Sequence, residues 1–326
     1  KNAAILDGSK VFSKDLMKKY NIPTAGYAAF TDPELEKSYL QTCDYHTVLK
    51  ADGLALGKGV LICANKEEAF LGVQEIMIDQ KYGSAGQVMV VEEFMTGPEV
   101  SVLSFCDGEH VIPMVSAQDH KRALDNDEGL NTGGMGTFSP SQYYTEAIHN
   151  EAIHMIFEPT LKAMKAEGRP FTGIIFFGLM LTPNGTKVLE YNARFGDPEA
   201  QVVLPRLKTD LLDVFEAAIE GRLDTLSLEW DDRAAVCVVL ASGGYPVSYD
   251  KGYEITGLEE VKSKSDVIVF HAGTAHKDDK IVTNGGRVLG ETALGDSIQT
   301  AREIAYAAVD EIHFDHTHFR TDIGIK

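Results

Sequence analysis

The chain has 326 residues, 44% of them apolar and 24% charged, and 30 Lys and Arg against 49 Asp and Glu leave a net charge of −19. That length exceeds one ordinary hydrophobic core and predicts two or three domains. The acidic balance argues against DNA or RNA as a partner, and the lack of any membrane-length apolar run or signal sequence predicts a cytoplasmic protein with no membrane contact.

In chain order, Val11, Phe12, Leu16, Met17 and Tyr20 recur at helical spacing, which predicts a helix over 9–20 that Asn21-Ile22-Pro23-Thr24 stops. Strands are predicted at 46–50 and 60–64 around a glycine loop from Gly53 to Gly59. An amphipathic helix over 66–79 and a strand over 88–93 complete a small α+β subdomain at 23–93. Val100 to Val115 reads as a hairpin around Asp107-Gly108. The stretch 117–140 is polar, glycine-rich and too long for an idle loop. A helix follows over 146–166. The apolar run 176–181, the turn residues Pro183-Asn184-Gly185 and the return over 186–191 predict a second hairpin. Asp197-Pro198-Glu199 reads as a helix start with Asp as cap, a place that favours anions, and Pro205 should break the helical stretch running to Glu220. Texture changes at 233. A buried strand over 234–241, further strands with turns at Gly257, Gly273 and Asn284-Gly285, and a closing helix near 297–312 predict a separate α+β domain over 233–326.

Chemistry concentrates in a few strings. Along the second hairpin's return strand, Glu190, Asn192 and Arg194 share a face if the strand persists. A carboxylate and an amide oxygen suit Mg²⁺, with Mn²⁺ as the substitute, and an arginine beside them would meet the anion the metal holds. Lys50-Ala51-Asp52-Gly53 to Gly57-Lys58-Gly59 places two lysines around glycines that let backbone N–H groups approach phosphate, although no Ser or Thr follows Lys58 as a Walker A loop requires. Glu92-Glu93-Phe94-Met95 leaves a buried strand into a turn and can offer backbone to an adenine edge, with Glu99 placed for ribose hydroxyls. Gln118-Asp119-His120-Lys121-Arg122, three potential cations, precedes Asn131-Thr132-Gly133-Gly134, which reads as a glycine nest for phosphate or carboxylate. A solvated loop would read much the same. His313 to His318 sits at the chain end and reads as sheet surface. Cys43, Cys63, Cys106 and Cys237 make no Cys-x-x-Cys pair and read as buried reduced thiols.

Taken together, the strings KADGLALGKGV, VVEEFMTGPEVS, QDHKR, NTGGMGTFSP, FGLM, EYNARFGDPE, ASGGYP, FHAGT and VTNGGRVL resemble an ATP-grasp ligase, specifically the phosphoribosylamine–glycine ligase family, across nearly the whole chain. The resemblance implies an α+β fold: an ATP-grasp core (1–22 and 94–230), a lid subdomain (23–93) and a C-terminal domain (233–326). It implies ligation of glycine to 5-phosphoribosylamine with ATP, through glycyl phosphate, in purine biosynthesis. Lys50, Gly57, Lys58 and Gly59 would hold phosphates. Glu92, Glu93, Phe94 and Met95 would meet adenine, and Glu99 ribose. Glu190 and Asn192 would hold Mg²⁺. Arg194 and Lys58 would be catalytic. Asp119, Lys121, Arg122, Asn131, Thr132, Gly133, Gly134 and Arg287 would face glycine and the phosphoribosyl group. The family also implies a domain ahead of AAILDGSKVFSKD, so the chain, which opens on Lys1, is expected to be a fragment. The competing readings are a nucleotide-binding module without turnover and another ATP-grasp carboxylate–amine ligase. The acidic metal ligand that many ATP-grasp enzymes carry one strand earlier is missing at Phe177-Gly178-Leu179.

Overall fold

A computed structural model describes residues 2–43, 46–53 and 59–325. Helix α1 (Lys10–Lys19) begins where the Ser9 hydroxyl accepts the Phe12 N–H, and it buries Leu16 and Met17. Strands β1 (Tyr27–Phe30), β2 (Thr47–Ala51), β3 (Val60–Cys63) and β4 (Met89–Glu93) form an antiparallel sheet in the order β1-β4-β2-β3. Helices α2 (Pro33–Thr42) and α3 (Lys66–Val73) back it, enclosing Leu40, Leu49, Val73, Ile76 and Val91. The sequence reading missed α2, although its start is legible: the Asp32 carboxylate accepts the Glu34 N–H, with Pro33 in the first turn.

The second sheet uses β5 (Glu99–Asp107) and β6 (Val111–Pro113). Next come β7 (Gln118–Asp119), β8 (Arg122–Leu124), β9 (Glu128–Asn131) and β10 (Gly136–Ser139), so 117–140 is not one long loop. Short strands of polar residues carry no two-residue alternation, which hid them. Helices α4 (Glu146–Ala152) and α5 (Glu158–Ala166) precede β11 (Thr172–Thr182) and β12 (Gly185–Asn192), and the sheet runs β12-β11-β5-β6. Val100, Val102 and Phe177 pack on one face with Leu16, Phe157 and Leu161, while Leu103 and Phe105 pack on the other with Val214 and Ala217. Burial on both faces explains the unbroken apolar runs.

After α6 (Ala200–Val203) and α7 (Leu211–Glu220), the third sheet is built on β13 (Ala234–Ser242). β14 (Val267–His271), β15 (Thr274–Lys277), β16 (Lys280–Thr283), β17 (Arg287–Gly295), helix α8 (Ile298–Val309) and β18 (Thr317–His318) follow. The sheet order is β14-β17-β13-β10-β7, with β18 on β13. Residues 118–119 and 136–139, which the sequence reading grouped with the middle of the chain, are therefore strands of the C-terminal sheet. Ala235, Cys237 and Leu294 of that sheet share a core with Leu103 and Phe105. No helix among the described residues is long and apolar enough to cross a membrane.

Candidate active site

The hairpin β11–β12 presents Glu190 and Asn192 as expected, with one feature the sequence concealed. Gly178 pairs with Glu190 while Leu179 pairs with Val188, so Leu189 is an extra residue, a β-bulge. Val188 and Tyr191 are buried in the same core, three residues apart instead of two, and Glu190 is exposed between them. Gly178 leaves room beside it, since a Cβ there would lie 3.0 Å from Glu190 Cγ. Leu189 turns to a small cluster with Ala25, Met95 and Met180. β12 ends at Asn192, so the strand does not persist to Arg194, which lies just beyond it, exposed, with its Nη2 donating to Asn192 Oδ1 at 3.3 Å.

Across from β12 stand lysines of two elements. Lys50 Nζ donates to the Leu189 carbonyl (3.3 Å) and to Glu92 Oε2 (3.0 Å). Lys14, on α1, reaches the same Glu92 oxygen at 2.9 Å and donates to Thr24 Oγ1. Burial pushes Lys14 down to about 8 against the pull of Glu92. Lys10, one turn earlier, donates to the Gly53 carbonyl; burial and then the Lys50 charge lower its pKa, while Glu190, Asp52 and Asp7 oppose. The sequence reading named neither Lys10 nor Lys14, because lysines four apart on a helix read as a solvated face. Glu92 is thus corrected: strand alternation turns its carboxylate inward, where two lysines share one oxygen and Oε1 is buried without a partner, so it cannot face adenine. Glu92→Gln should destabilise the fold by about 3–5 kcal/mol in urea titration, because it leaves two buried ammoniums uncompensated; an unchanged midpoint would remove the triad from the account.

Of the other predicted phosphate and adenine residues, Gly57 and Lys58 lie outside the described residues, and Gly59 accepts the Ala51 N–H. Glu93 is exposed and accepts the Gly26 N–H, and the Phe94 N–H donates to the His46 carbonyl. Glu99, expected at ribose, is engaged by Lys121. Burial works to lower the Lys121 pKa, but Glu99, Glu190 and Asp119 outweigh it and hold it above the usual lysine value.

The glycine nest is also corrected. Thr132 N–H donates to Lys121 O, Gly133 N–H to Tyr245 Oη, Gly134 N–H to Thr132 Oγ1 and Met135 N–H to His120 O. All four donors are spent within the protein, so the turn offers no ring of amides to an anion. Arg287 Nη1 clasps this turn through Gly133 O (2.8 Å) and Asp197 O (3.0 Å), with Asp197 Oδ1 at 3.2 Å. Arg122 donates to Gly129 O in its own hairpin, opposite exposed Asn131. His120 is not a loop cation. It is fully buried, and its Nε2 faces the Gly324 N–H. Asp197 does not cap a helix either: its carboxylate goes to Arg287 and Gln201, Glu199 precedes α6, and α6 has four residues.

Glu199, unnamed from sequence, is buried and accepts the Ser101 hydroxyl. Burial raises its pKa. Burial and then the Glu199 charge hold Asp119 well above the usual carboxylate range, against Lys121 and Arg287. Asp119 Oδ1 is sealed from solvent without a partner. Two carboxylates this close resist carrying two charges. Cavities of about 400 Å³ (at Cys43, His46 and Cys63) and about 430 Å³ (at Phe138, Ile298 and Arg302) lie away from these residues.

Fold comparison gives the class. The biotin carboxylase domain of Hydrogenobacter thermophilus 2-oxoglutarate carboxylase superposes with a TM-score of 0.74 at 17% identity, covering 96% of this chain and 68% of that one, which shows a common fold. Residues 8–200 match the family described as phosphoribosylglycinamide synthetase, ATP-grasp (A) domain, and 235–326 its C domain. The phosphoribosylamine–glycine ligase of Fusobacterium nucleatum is 48% identical over 325 residues, 99% of this chain and 76% of its own length. The crystal structure of the Thermotoga maritima phosphoribosylamine–glycine ligase matches with a TM-score of 0.91 and 36% identity, covering 99% of this chain and 80% of that one. The chain belongs to the phosphoribosylamine–glycine ligase family, ATP-dependent carbon–nitrogen ligases of purine biosynthesis with an ATP-grasp fold.

Proposed function

We propose that the chain joins glycine to 5-phosphoribosylamine with ATP, giving glycinamide ribonucleotide, ADP and phosphate. The convergence of Lys50 on β12 beside Glu190 and Asn192, with Arg194 bonded to Asn192 just past the strand's end, carries this reading in a member of this family. The γ-phosphoryl group passes to a glycine carboxylate oxygen and ADP leaves. The amine nitrogen of phosphoribosylamine then bonds to the acyl carbon, the carbon–oxygen bond to phosphate breaks, and the nitrogen gives up a proton.

Phosphoryl transfer asks for positioned charge rather than covalent help. Lys50, with Lys58, would hold the phosphate tail. Ala25, Met95, Met180 and Leu189 form an apolar bed beside the Phe94-Met95 turn, suited to adenine. Glu190 and Asn192 fit Mg²⁺ or Mn²⁺: hard oxygens on one face, with the Gly178 gap beside them. Among the described residues no three His, Cys, Asp or Glu side chains form a metal site, so phosphate oxygens and water would complete the shell. When bound, the metal neutralises charge on the phosphate oxygens. Arg194 would shift from Asn192 to the transferred phosphoryl group. Asp119 and Glu199 would receive glycine's ammonium, which relieves their mutual repulsion, with Lys121, Arg122, Asn131, Thr132, Gly133, Gly134 and Arg287 shaping that side. We assign 1–22 and 94–230 to the core, 23–93 to the lid and 233–326 to the C-terminal domain, with 118–119 and 136–139 lending strands to the last.

Phosphate release from ATP, followed with glycine and phosphoribosylamine present singly and together, tests the reading. Release that requires both, with glycinamide ribonucleotide as product, is expected. ATP binding without such release would make the chain a nucleotide-binding module.

A further inference from the structure

Three ammonium groups, Lys10, Lys14 and Lys50, are held near one another, and none of the three is free of the others' repulsion: Lys50 opposes the charge of both Lys10 and Lys14. They come from two elements, α1 and the lid strand β2, that are separated in sequence. Something must hold that strand and that helix in register. Glu92 serves Lys14 and Lys50 from within the sheet. A further fastening is at Asp52, just beyond the end of β2.

Asp52 Oδ1 accepts the Val11 N–H at 2.7 Å, and the Ser9 hydroxyl donates to both carboxylate oxygens at 3.1 and 3.2 Å. The Asp52 carbonyl accepts the Lys10 N–H, and its own N–H donates to the Val88 carbonyl in the lid. A residue of the lid thereby supplies acceptors to the first turn of α1, where helix amides lack partners and negative charge is favoured. Ser9 caps the same turn through Phe12, so its hydroxyl is oriented by Asp52 while its oxygen serves the helix. Lys10 then lies over Gly53, and its charge is offset by Asp52. The opposite end of α1 is rooted in the central core through Leu16 and Met17. The helix is a strut with one end in the core and the other in the lid.

We propose that Asp52 is a positioning residue for nucleotide binding: by clamping the end of β2 to the first turn of α1, it sets Lys50 and Lys10 at the Glu190 edge of β12. This rests on the nucleotide reading of that edge given above. Asp52 touches no substrate. Its effect runs through lysine placement, so it acts on ATP and not on glycine.

Steady-state kinetics of Asp52→Ala, Asp52→Asn and Ser9→Ala, with thermal unfolding of each, tests the inference. Asp52→Ala should raise KM for ATP tenfold or more while KM for glycine stays within twofold. Asp52→Asn should recover most of that, since its amide oxygen still accepts the Val11 N–H, and Ser9→Ala should fall between wild type and Asp52→Ala. If Asp52→Ala does not fold, Ser9→Ala carries the same test, because it removes the hydroxyl that bonds both Asp52 oxygens. KM values for ATP and glycine that rise together, or an ATP KM within twofold of wild type in Asp52→Ala (in Ser9→Ala, should Asp52→Ala not fold), overturn the proposal. Lys50→Ala separates the two levels: a raised ATP KM there with no effect at Asp52 removes the clamp alone, and no effect at Lys50 removes the nucleotide reading itself.

Discussion

Glu190→Gln is expected to lower kcat by about three orders of magnitude, or roughly 4 kcal/mol at 1.36 kcal/mol per decade, while leaving the unfolding free energy within about 0.5 kcal/mol of wild type. The two halves of the result have separate causes. The side chain is exposed and packs in neither core, so the fold does not depend on it. Its charge, however, is the single carboxylate on the β12 face, with Asn192 and Arg194 beside it and Lys121 within electrostatic range. Removing one preorganised group that meets developing charge costs about 10²–10³ in rate, and loss of divalent-ion affinity adds to that. The variant should also need more Mg²⁺ for half-maximal rate. Near-normal turnover at ordinary Mg²⁺ would remove Glu190 from the site.

A second large effect is expected in stability against pH. Glu291, on β17 between Val238 of β13 and Val269 of β14, is fully buried, and neither carboxyl oxygen has a partner. Burial alone pushes it up to about 8. Unfolded, the group titrates near 4.5, so from there to about 8 the native state holds a proton that the unfolded state has lost. Stability must therefore fall as pH rises through that window, by up to 1.4 kcal/mol per unit and of order 5 kcal/mol in all. Glu36, on α2, has the same environment and the same direction. Glu291→Gln removes one of these protons. Its unfolding free energy relative to wild type should climb steadily between pH 5 and pH 8, most plainly in urea titrations at those two values. A difference that does not change with pH would mean that Glu291 finds a partner or water in solution.

Much of this was legible beforehand because it is local. The hairpin at Pro183-Asn184-Gly185, the helix ended by Asn21-Ile22-Pro23 and the break at Pro205 rest on turn chemistry and periodicity within a dozen residues, and the structure places elements at each. The Glu190/Asn192 pair was legible because a strand puts alternate residues on one face. The failures share a cause as well. The Asn131–Gly134 nest looked available until Tyr245, 112 residues from Gly133, took one of its amides. Asp197 looked like a cap until Arg287 claimed its carboxylate. Glu92 looked placed for adenine until Lys14 and Lys50 enclosed its carboxylate. Each error concerned which partner satisfies a polar group, and partners are chosen across the fold.

Residue order alone thus determined the family's strings, the acidic surface, the main helices and hairpins, and the face on which a carboxylate and an amide stand together. Tertiary structure decided the bulge that turns Leu189 away and leaves Glu190 open, the lysines that α1 brings against the lid, and the strands at 118–119 and 136–139 that join the C-terminal sheet. The division follows from range. Periodicity and turn chemistry act between neighbours along the chain, whereas a buried charge or an amide must be met by whichever group the packing brings within about 3 Å.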